Sequence, residues 1–488
     1  MVDFFKLLNE YLWGAPLLCI LVGTHLFFTI RLNFIQKDTF KAIKLSIRSS
    51  DNDENNYCDR NSNQKQNDFS NHSNNNYDDF NNKLSKKYNH SNNTFISKTR
   101  KNNKKKEGFS GFGALATTLA ATLGTGNIVG VSTAIYFGGP GAIFWCWITG
   151  ILGMATSYAE CYLCVKYQQQ DNERHFYGGP MYVIRDGLHN KYLAGFYAFC
   201  VMISSFGAGC ATQANSLAQT ASYLWHLPTW LIGLVSSILV GAVLVTGFSA
   251  IETFCMKLVP IMGILYLSTC VFILMLNYEF LWDSLLLIVQ SAFSNNAISG
   301  GLLGTGIEYS MKMATRYGIA RGLFTNEAGL GTAGITAAGS IATPKEQALI
   351  SMTATFWDTV VCCAITGLVI VTNLLRFPQS VDGVLAGNLT NLAFEVIPYV
   401  GGSILGVCMV MFALATLIGW SYMGQQAFTY LFSRKHVSFY QTFYLVMIFL
   451  GSIISLELVW EFTDTINFFI IIPNLIALFL LKKHIFYK

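Results

Sequence analysis

The sequence predicts an all-α polytopic membrane protein, and three observations lead to that fold class. The chain has 488 residues, of which 52% are hydrophobic and only 12% are charged, whereas soluble domains carry about 25% charged residues. Eleven windows are apolar over the ~20 residues that a membrane-spanning helix needs. Two of these windows are interrupted at mid-span by polar, glycine-rich sequence, at Gly124–Gly130 and Asn326–Thr332. Paired interruptions of this kind indicate a transporter with a binding site near the membrane midplane.

The predicted spans follow the apolar windows in chain order, and the first of them lacks the small-residue cleavage site of a signal peptide. They lie at residues 9–30, 110–138, 142–167, 193–225, 229–247, 255–277, 316–341, 347–374, 399–432, 438–456 and 459–482.

Composition divides the chain into five parts. Residues 1–49 hold an extra N-terminal transmembrane helix and the cytoplasmic start of a loop. Residues 50–107 form an Asn-rich cytoplasmic insert that we expect to be disordered, because it has too few aliphatic residues to build a core. Residues 108–278 hold five spans, 279–315 an external amphipathic segment with a helix at 295–315, and 316–488 five further spans and a short cytoplasmic tail.

Lysine and arginine residues in the short loops predict the orientation. The loop after the first span is basic, and basic residues recur at Arg434, Lys435, Lys482 and Lys483. The loop at 457–464, on the opposite side, is acidic and has no lysine or arginine. Because cytoplasmic loops are enriched in lysine and arginine, we expect the N-terminus outside and the C-terminus inside.

The spacing of polar residues indicates that the two sets of five spans are repeats. In each set a broken span is followed by a short linker and a helix that carries one carboxylate. Asn127 precedes Glu160 by 33 residues, and Asn326 precedes Asp358 by 32. An odd number of spans per half places the halves in opposite orientations, so such a repeat is inverted. No letter-by-letter similarity accompanies the spacing, and chance is the alternative explanation.

A set of motifs surrounds the two breaks and extends through most of the chain outside the insert. They are Phe112–Thr117, Gly124–Val131, Gly138–Trp145, Gly178–Tyr182, Arg321–Gly331, Asp358–Thr359 and Gly419–Tyr422. In these motifs the chain resembles the alanine or glycine:cation symporter family, the sodium-coupled amino-acid carriers of bacteria and archaea. It departs from the family pattern at Thr325 and Thr332, where serine is usual, at Gln425, where an acid is common, and in its long insert.

The resemblance implies a LeuT-type core of inverted five-helix repeats with discontinuous helices, plus one extra N-terminal helix, eleven spans in all. It also implies symport of small neutral amino acids, alanine or glycine, with Na⁺ by alternating access across a plasma membrane of the bacterial type. We therefore expect no enzymatic activity, no cofactor and no nucleic-acid partner.

The first break is the expected substrate site. A broken helix exposes N–H groups and a positive half-helix end that attract a carboxylate, while its freed carbonyls attract cations. We place the substrate carboxylate near Thr125, Gly126 and Asn127. The alternative is that these small residues only allow close helix packing.

Four further residues enter mainly through the resemblance. Gln213 lies mid-span, where an amide faces the bundle interior, and the family match suggests that it contacts the substrate; a purely structural hydrogen bond is the alternative. Phe324 and Trp420 match positions that wall the substrate pocket in the family and leave room for little more than a methyl group. By analogy with LeuT-type cation sites, the Thr416 hydroxyl and backbone carbonyls near Gly124 are the expected Na⁺ ligands.

The buried acids are the last candidates, since ionisable residues within a membrane are functional by default. We expect Glu327 to hold the second break together, and Glu160 and Asp358 to lie near helix ends. His25 is expected to be structural.

Three rival functions remain to be weighed against symport. A dinucleotide-binding loop at Gly124–Gly130 is excluded by its spacing, G-x-G-x-x-x-G, and by its membrane-spanning flanks. A channel is a better rival because polar backbone within the membrane also builds selectivity filters, but the two-half organisation favours a carrier. The third alternative keeps the fold with another small amino acid or with H⁺ coupling.

Overall fold

The computed structural model describes residues 2–47, 108–171, 175–293, 310–378, 384 and 386–486. The predicted insert at 50–107 and most of the predicted amphipathic helix at 295–315 lie outside the described residues. The described chain is helical except for one two-stranded antiparallel hairpin, β1 Gln169–Gln170 and β2 Phe176–Tyr177. The predicted fold class, an all-α membrane protein, is confirmed in its main feature.

The main helices of the described residues follow in chain order, and several of them pair to form broken or bent spans. They are α1 Val2–Leu12, α2 Ala15–Arg31, α3 Gly111–Thr122, α4 Val129–Gly138, α5 Gly141–Lys166, α6 Lys191–Trp225, α7 Thr229–Val245, α8 Phe248–Leu276, α9 Leu281–Phe293, α10 Met311–Asn326, α11 Ala333–Ala337, α12 Pro344–Arg376, α13 Leu389–Phe394, α14 Gly401–Leu431, α15 Val437–Ile453, α16 Leu456–Leu480 and α17 Lys483–Phe486.

Seven of these helices are long and apolar enough to cross a membrane, and the number rises to nine if each of two bent pairs is one span. The pairs are α1 with α2 and α3 with α4. The other two predicted spans correspond to α7, which has only 17 residues, and to α10 with α11, which polar residues interrupt. The count of eleven spans therefore stays a prediction.

The first predicted span, 9–30, is wrong in one respect, because it is not a single helix. It is split into α1 and α2, which meet at an angle of 54°. Gly14 lies between them in an extended conformation and Pro16 occupies the first turn of α2. Proline has no N–H to continue a helix and is favoured in a first turn, so the sequence Gly14-Ala15-Pro16 ends α1 and begins α2.

The first predicted break is present between α3 and α4, which meet at 56°. One short 3₁₀ turn, Thr125–Asn127, joins them. The Asn127 Oδ1 accepts a hydrogen bond of 3.0 Å from the Gly124 N–H. The Asn127 side chain thus accepts the hydrogen bond of a backbone N–H that lacks its usual helical carbonyl partner because of the break.

The second predicted break lies between α10 and α11. Three residues there, Glu327, Gly329 and Gly331, have positive φ angles of 56°, 104° and 78°. Glycine adopts this conformation without the steric cost that other residues incur. The two glycines therefore permit the tight loop, whereas Glu327 is held in it by its own contacts.

The two breaks lie together in the centre of the helix bundle. Helix α3 packs against α8 and α14, and α5 packs against α10 and α12. Two long helices contain π-helical turns at this level, Gly207–Ala211 in α6 and Phe356–Cys363 in α12. Such turns insert one extra residue and leave backbone groups free for other partners, and both contribute to the site.

Candidate functional site

A small cavity at the first break brings together most of the predicted substrate-binding residues. It is lined by Ala121, Thr122, Gly124, Gly126, Ala208, Gln213, Phe324, Glu327, Leu330, Trp420 and Asn467. Its volume of about 10 Å³ is roughly what one water molecule requires. The cavity is therefore contracted, and a larger ligand enters only when the lining side chains move apart.

The polar side of the cavity is a hydrogen-bonded pair. Gln213 Oε1 accepts hydrogen bonds from the Thr125 N–H at 3.0 Å and from the Thr125 hydroxyl at 2.8 Å. Gln213 Nε2 donates to the Ala208 carbonyl at 3.1 Å, within the π-helical turn of α6. The amide oxygen thus accepts hydrogen bonds from the donors of the first break to which the sequence predicts that a substrate carboxylate binds.

The glycines of the first break are required by close neighbours on other helices. A Cβ on Gly124 would lie 2.5 Å from the Thr416 Oγ1, and a Cβ on Gly126 would lie 2.9 Å from the Phe324 ring. Distances below 3.0 Å force the neighbour to move. These glycines therefore allow close packing and also shape the site, because the side chains they contact, Thr416 and Phe324, are themselves candidate binding residues.

The apolar side of the cavity consists of two aromatic rings. Phe324 packs against Trp460 with ring centroids 4.6 Å apart. Trp420 lies against α6, where a Cβ on Gly209 would meet the Trp420 side chain at 2.4 Å. Both rings are fixed by these contacts and close the space beside the glycine backbone.

Glu327 lines the cavity and also stabilises the second break, as the sequence predicts. Its Oε2 accepts a short hydrogen bond from the Thr332 hydroxyl across the loop, and its carboxylate also bonds to the side chain of Trp420. These contacts compensate the left-handed conformation of Glu327.

Asn127 does not line the cavity; it connects the first break to α12. Its Nδ2 donates to the Asp358 Oδ1 at 2.7 Å and to the Asp358 carbonyl at 3.1 Å. Asp358 Oδ2 accepts from the Thr359 hydroxyl at 2.6 Å, and the Thr359 hydroxyl lies 3.3 Å from that of Thr325. All four residues are buried. The result is a buried carboxylate surrounded by the Asn127 amide nitrogen and two threonine hydroxyls, and it pairs with no Lys, Arg or His of the described residues.

The Thr416 hydroxyl lies beside the carbonyls that the first break releases. It donates to the Phe412 carbonyl at 3.0 Å and is 3.4 Å from the Leu123 carbonyl. Thr416 therefore lies beside the first break, and its role as a Na⁺ ligand stays a prediction.

Glu160 binds the second break from α5. Its Oε1 accepts hydrogen bonds from the Gly329 N–H at 2.9 Å and from Asn474 Nδ2 at 2.6 Å. The expected position near helix ends is wrong: Asp358 lies inside the π-helical turn of α12 and Glu160 lies within α5. Both Asp358 oxygens accept hydrogen bonds, whereas of the two Glu160 oxygens only Oε1 does, and Oε2 has no hydrogen-bond partner among the described residues.

Comparison with known proteins decides the family. The model of the sodium:alanine symporter family matches residues 86–488. The chain is also 37% identical over 492 residues to the sodium/alanine symporter AgcS of Methanococcus maripaludis, an alignment that covers 99% of this chain and 95% of that protein. The chain belongs to the sodium:alanine symporter family. It is a sodium-coupled amino-acid symporter, not an enzyme, and the resemblance seen in the sequence motifs is confirmed.

Other similar proteins agree with this family. An uncharacterized transporter of Haemophilus influenzae is 39% identical over 482 residues, 98% of this chain and 92% of that protein. A probable sodium/glutamine symporter of Bacillus subtilis, GlnT, is 28% identical over 480 residues, 98% of this chain and 88% of that protein. The crystal structure of MhsT in complex with L-phenylalanine shares the fold with a TM-score of 0.51 and 15% identity, covering 76% of this chain and 89% of that one.

One departure from the symporter family pattern lies away from the cavity. Gln425 accepts a hydrogen bond of 3.3 Å from Gln441 Nε2 and is not among the cavity-lining residues. Gln425 therefore does not change the charge at the cavity, because the turn of α14 beyond Trp420 directs it towards α15.

Two polar residues of the cavity in this symporter, Thr122 and Asn467, were not predicted from the sequence. Asn467 of α16 lines the cavity, and its Oδ1 accepts a hydrogen bond of 3.3 Å from the Ser204 hydroxyl. The signal was available, since a buried amide in an apolar span faces the bundle interior. His25 is bonded to the Thr156 hydroxyl at 2.8 Å, which agrees with the structural role expected of it.

A buried ion pair joins α10 to α16 beyond Phe324. The guanidinium of Arg321 donates to both carboxylate oxygens of Asp464, at 3.3 and 3.0 Å, and lies 4.3 Å from the ring of Trp460. Only 10% of the Arg321 side chain and 11% of that of Asp464 are exposed. The pair therefore ties the broken span to α16 in this contracted state of the site.

We expect Asp464→Asn to lower the stability of the symporter by about 2 to 4 kcal/mol, because it leaves the Arg321 charge buried and unpaired. Thermal unfolding in detergent measures the loss. The double variant Arg321→Met/Asp464→Leu is the control, since removing both charges is expected to restore much of the stability. An Asp464→Asn protein as stable as the wild type would show that the pair is solvated rather than buried.

Proposed function

We propose that the protein transports small neutral amino acids, alanine first and glycine second, together with Na⁺ by alternating access. One observation supports this more than any other: the small cavity at the first break joins glycine backbone, the Gln213 amide and two aromatic rings. A site of this kind combines donors for a carboxylate with an apolar wall for a very small side chain.

The substrate carboxylate is proposed to replace Gln213 Oε1 at the first break. The Thr125 N–H and hydroxyl now donate to that oxygen, and the N-terminal end of α4 adds a partial positive charge close by. When the carboxylate binds, the Gln213 amide is released to turn its own donor towards the substrate. Asn127 supports this arrangement through Gly124 rather than by contact with the cavity.

Two oxygen clusters are proposed as cation positions. The first is formed by the Thr416 hydroxyl and the carbonyls near Gly124, where no charged side chain is needed. The second is the cluster of Asn127, Thr325, Asp358 and Thr359, where a Na⁺ ion would neutralise the buried carboxylate. Hard cations prefer such oxygen ligands, and both clusters adjoin the break that binds the substrate.

The inverted-repeat organisation, with eleven spans, is part of the proposal. The first break is bonded to Asp358 of the second half, and the second break is bonded to Glu160 of the first half. A two-fold axis in the membrane plane would exchange these two contacts. Alternating access follows if one half, or its bundle of broken helices, tilts against the other.

The proposed orientation places the N-terminus outside a bacterial-type plasma membrane and the C-terminus in the cytoplasm. Asn9, before α2, is bonded to Glu461 near the start of α16, and Arg31 at the end of α2 lies over the ring of Phe486, beyond α16. Helices α2 and α16 therefore run in the same direction. The basic residues at their shared end favour the cytoplasmic side.

Two alternatives keep the fold. One relative, YrbD of Bacillus subtilis, is described as a putative sodium/proton-dependent alanine carrier, so protons are the rival coupling ion. Another is described as a probable sodium/glutamine symporter, so a longer amide side chain is the rival cargo. The aromatic wall at Phe324 and Trp420 favours alanine over glutamine, and the oxygen ligands at Thr416 favour Na⁺ over H⁺.

Uptake of labelled alanine into proteoliposomes tests the function. With an inward Na⁺ gradient we expect accumulation, and we expect none when choline replaces Na⁺. Thr416→Ala is expected to raise the Na⁺ concentration needed for half-maximal uptake, whereas Thr416→Ser keeps the hydroxyl and serves as its control. Uptake that persists in choline and follows an imposed proton gradient would establish H⁺ coupling instead.

A further inference from the structure

An apolar groove on the membrane-facing surface separates the extra N-terminal helices from α16. It has a volume of about 650 Å³, which lies within the range of ~300–1,000 Å³ typical of ligand pockets. Its walls are almost wholly apolar. They consist of Tyr11, Leu12, Pro16, Leu17 and Ile20 on one side and of Phe468, Ile471, Ile472, Leu475, Ile476, Phe479 and Leu480 on the other.

The groove results from the bend in the N-terminal span. Residues of α1 are fixed to the start of α16, where the Asn9 Nδ2 donates to Glu461 Oε2 at 2.6 Å and Trp13 Nε1 donates to the Asp464 carbonyl at 3.1 Å. The 54° turn at Gly14 then directs α2 away from α16. The two helices meet again where Phe27 contacts Phe479 with ring centroids 5.3 Å apart. The space between these two fixed ends is long, narrow and apolar.

The two ends of the groove differ in charge. At the end near α1, Lys6 is paired with Glu457 and Arg321 with Asp464. At the other end Arg31 lies 5.1 Å from the Phe486 ring and Lys482 lies 5.5 Å from the Phe27 ring. Both are exposed, and neither forms an ion pair with another described residue. Uncompensated positive charge thus lies at one end of the groove only.

We propose that this groove binds an anionic phospholipid, with an acyl chain between α2 and α16 and the phosphate of the headgroup at Arg31 and Lys482. The aromatic faces of Phe486 and Phe27 hold the two cations at this end of the groove. Basic pockets between helices at a cytoplasmic surface are suited to anionic headgroups, and the groove supplies the chain site that a free anion would not use. The bound lipid would brace the bend of the N-terminal span against α16.

Thermal unfolding of the purified full-length protein with added lipid tests the proposal. Phosphatidylglycerol is expected to raise the melting temperature by about 2–4 °C more than phosphatidylcholine. Arg31→Gln/Lys482→Gln is expected to lose that difference while keeping the response to phosphatidylcholine. Lys435→Gln, which removes an exposed lysine far along the chain, is the matched control and should keep it. Inorganic phosphate should give no shift.

A second variant tests the groove itself. Ile476→Trp is expected to fill the groove and to reduce the effect of phosphatidylglycerol, whereas Val446→Trp, at a similarly exposed position of α15, should not. The proposal is overturned if the double variant responds to phosphatidylglycerol as the wild type does, or if Ile476→Trp leaves the response intact. It is also overturned if Ile476→Trp changes the oligomeric state in detergent without changing the lipid response, because the groove would then be an interface between two copies.

Discussion

Sodium-driven alanine uptake is expected to fall by at least about 100-fold in Asp358→Asn. The carboxylate is buried, accepts hydrogen bonds from the Asn127 amide nitrogen and the Thr359 hydroxyl, and has no basic partner among the described residues. Removing one partner of a buried charged pair costs about 3 kcal/mol or more, and each 1.4 kcal/mol is about tenfold in affinity. An asparagine of nearly the same shape removes the charge that would bind Na⁺ and replaces one accepting oxygen by an amide nitrogen.

The Na⁺ dependence of uptake in proteoliposomes is the measurement. Glu10→Gln removes an exposed carboxylate and is the control, since it should leave the Na⁺ dependence unchanged. The apparent Na⁺ affinity of Asp358→Asn should fall at every pH if the carboxylate binds the cation. Should Asp358→Asn keep its Na⁺ dependence and lose only a dependence on pH, Asp358 would carry a proton rather than a cation contact.

Trp420→Ala is expected to admit larger aliphatic amino acids and to weaken alanine binding. The indole forms one wall of the cavity and packs against Gly209, so its removal leaves space beside the substrate side chain. Discrimination per methylene in an apolar pocket is only ~1–3 kcal/mol. Selectivity should therefore relax in steps, with 2-aminobutyrate gaining before leucine.

Competition binding of alanine, 2-aminobutyrate and leucine to purified protein measures the change. Trp420→Phe is the matched control, because it removes the hydrogen bond to Glu327 while keeping most of the ring volume, and it should stay selective for alanine. If Trp420→Ala loses alanine and leucine equally while remaining folded, Trp420 acts in gating or packing and the pocket lies elsewhere.

The breaks and most cavity residues could be predicted from the sequence because polar and glycine residues are costly within a membrane. Gly126 and Gln213 stand out as exceptions inside apolar runs, whereas Phe324 and Trp420 were supplied only by the motif resemblance. The structure adds that they lie around one contracted cavity, which no pattern in the chain shows.

What could not be predicted depends on contacts between distant segments. Asn127 and Asp358 are 231 residues apart, so nothing near either residue indicates that the Asn127 amide binds Asp358 instead of lining the cavity. The π-helical turn at Phe356–Cys363 likewise depends on its packing against the first break. Helix periodicity alone predicts an ordinary helix there.

Binding of labelled alanine to Gly126→Ala tests the central claim, that the cavity at the first break is the sodium-dependent substrate site. A Cβ at this position would lie 2.9 Å from both Phe324 and Thr325, whereas a Cβ at the control position Gly195 would have no neighbour within 4 Å. We predict that the wild type and Gly195→Ala bind alanine in Na⁺ but not in choline, and that Gly126→Ala, folded by its thermal unfolding profile, does not bind. Undiminished Na⁺-dependent binding by Gly126→Ala would contradict the account.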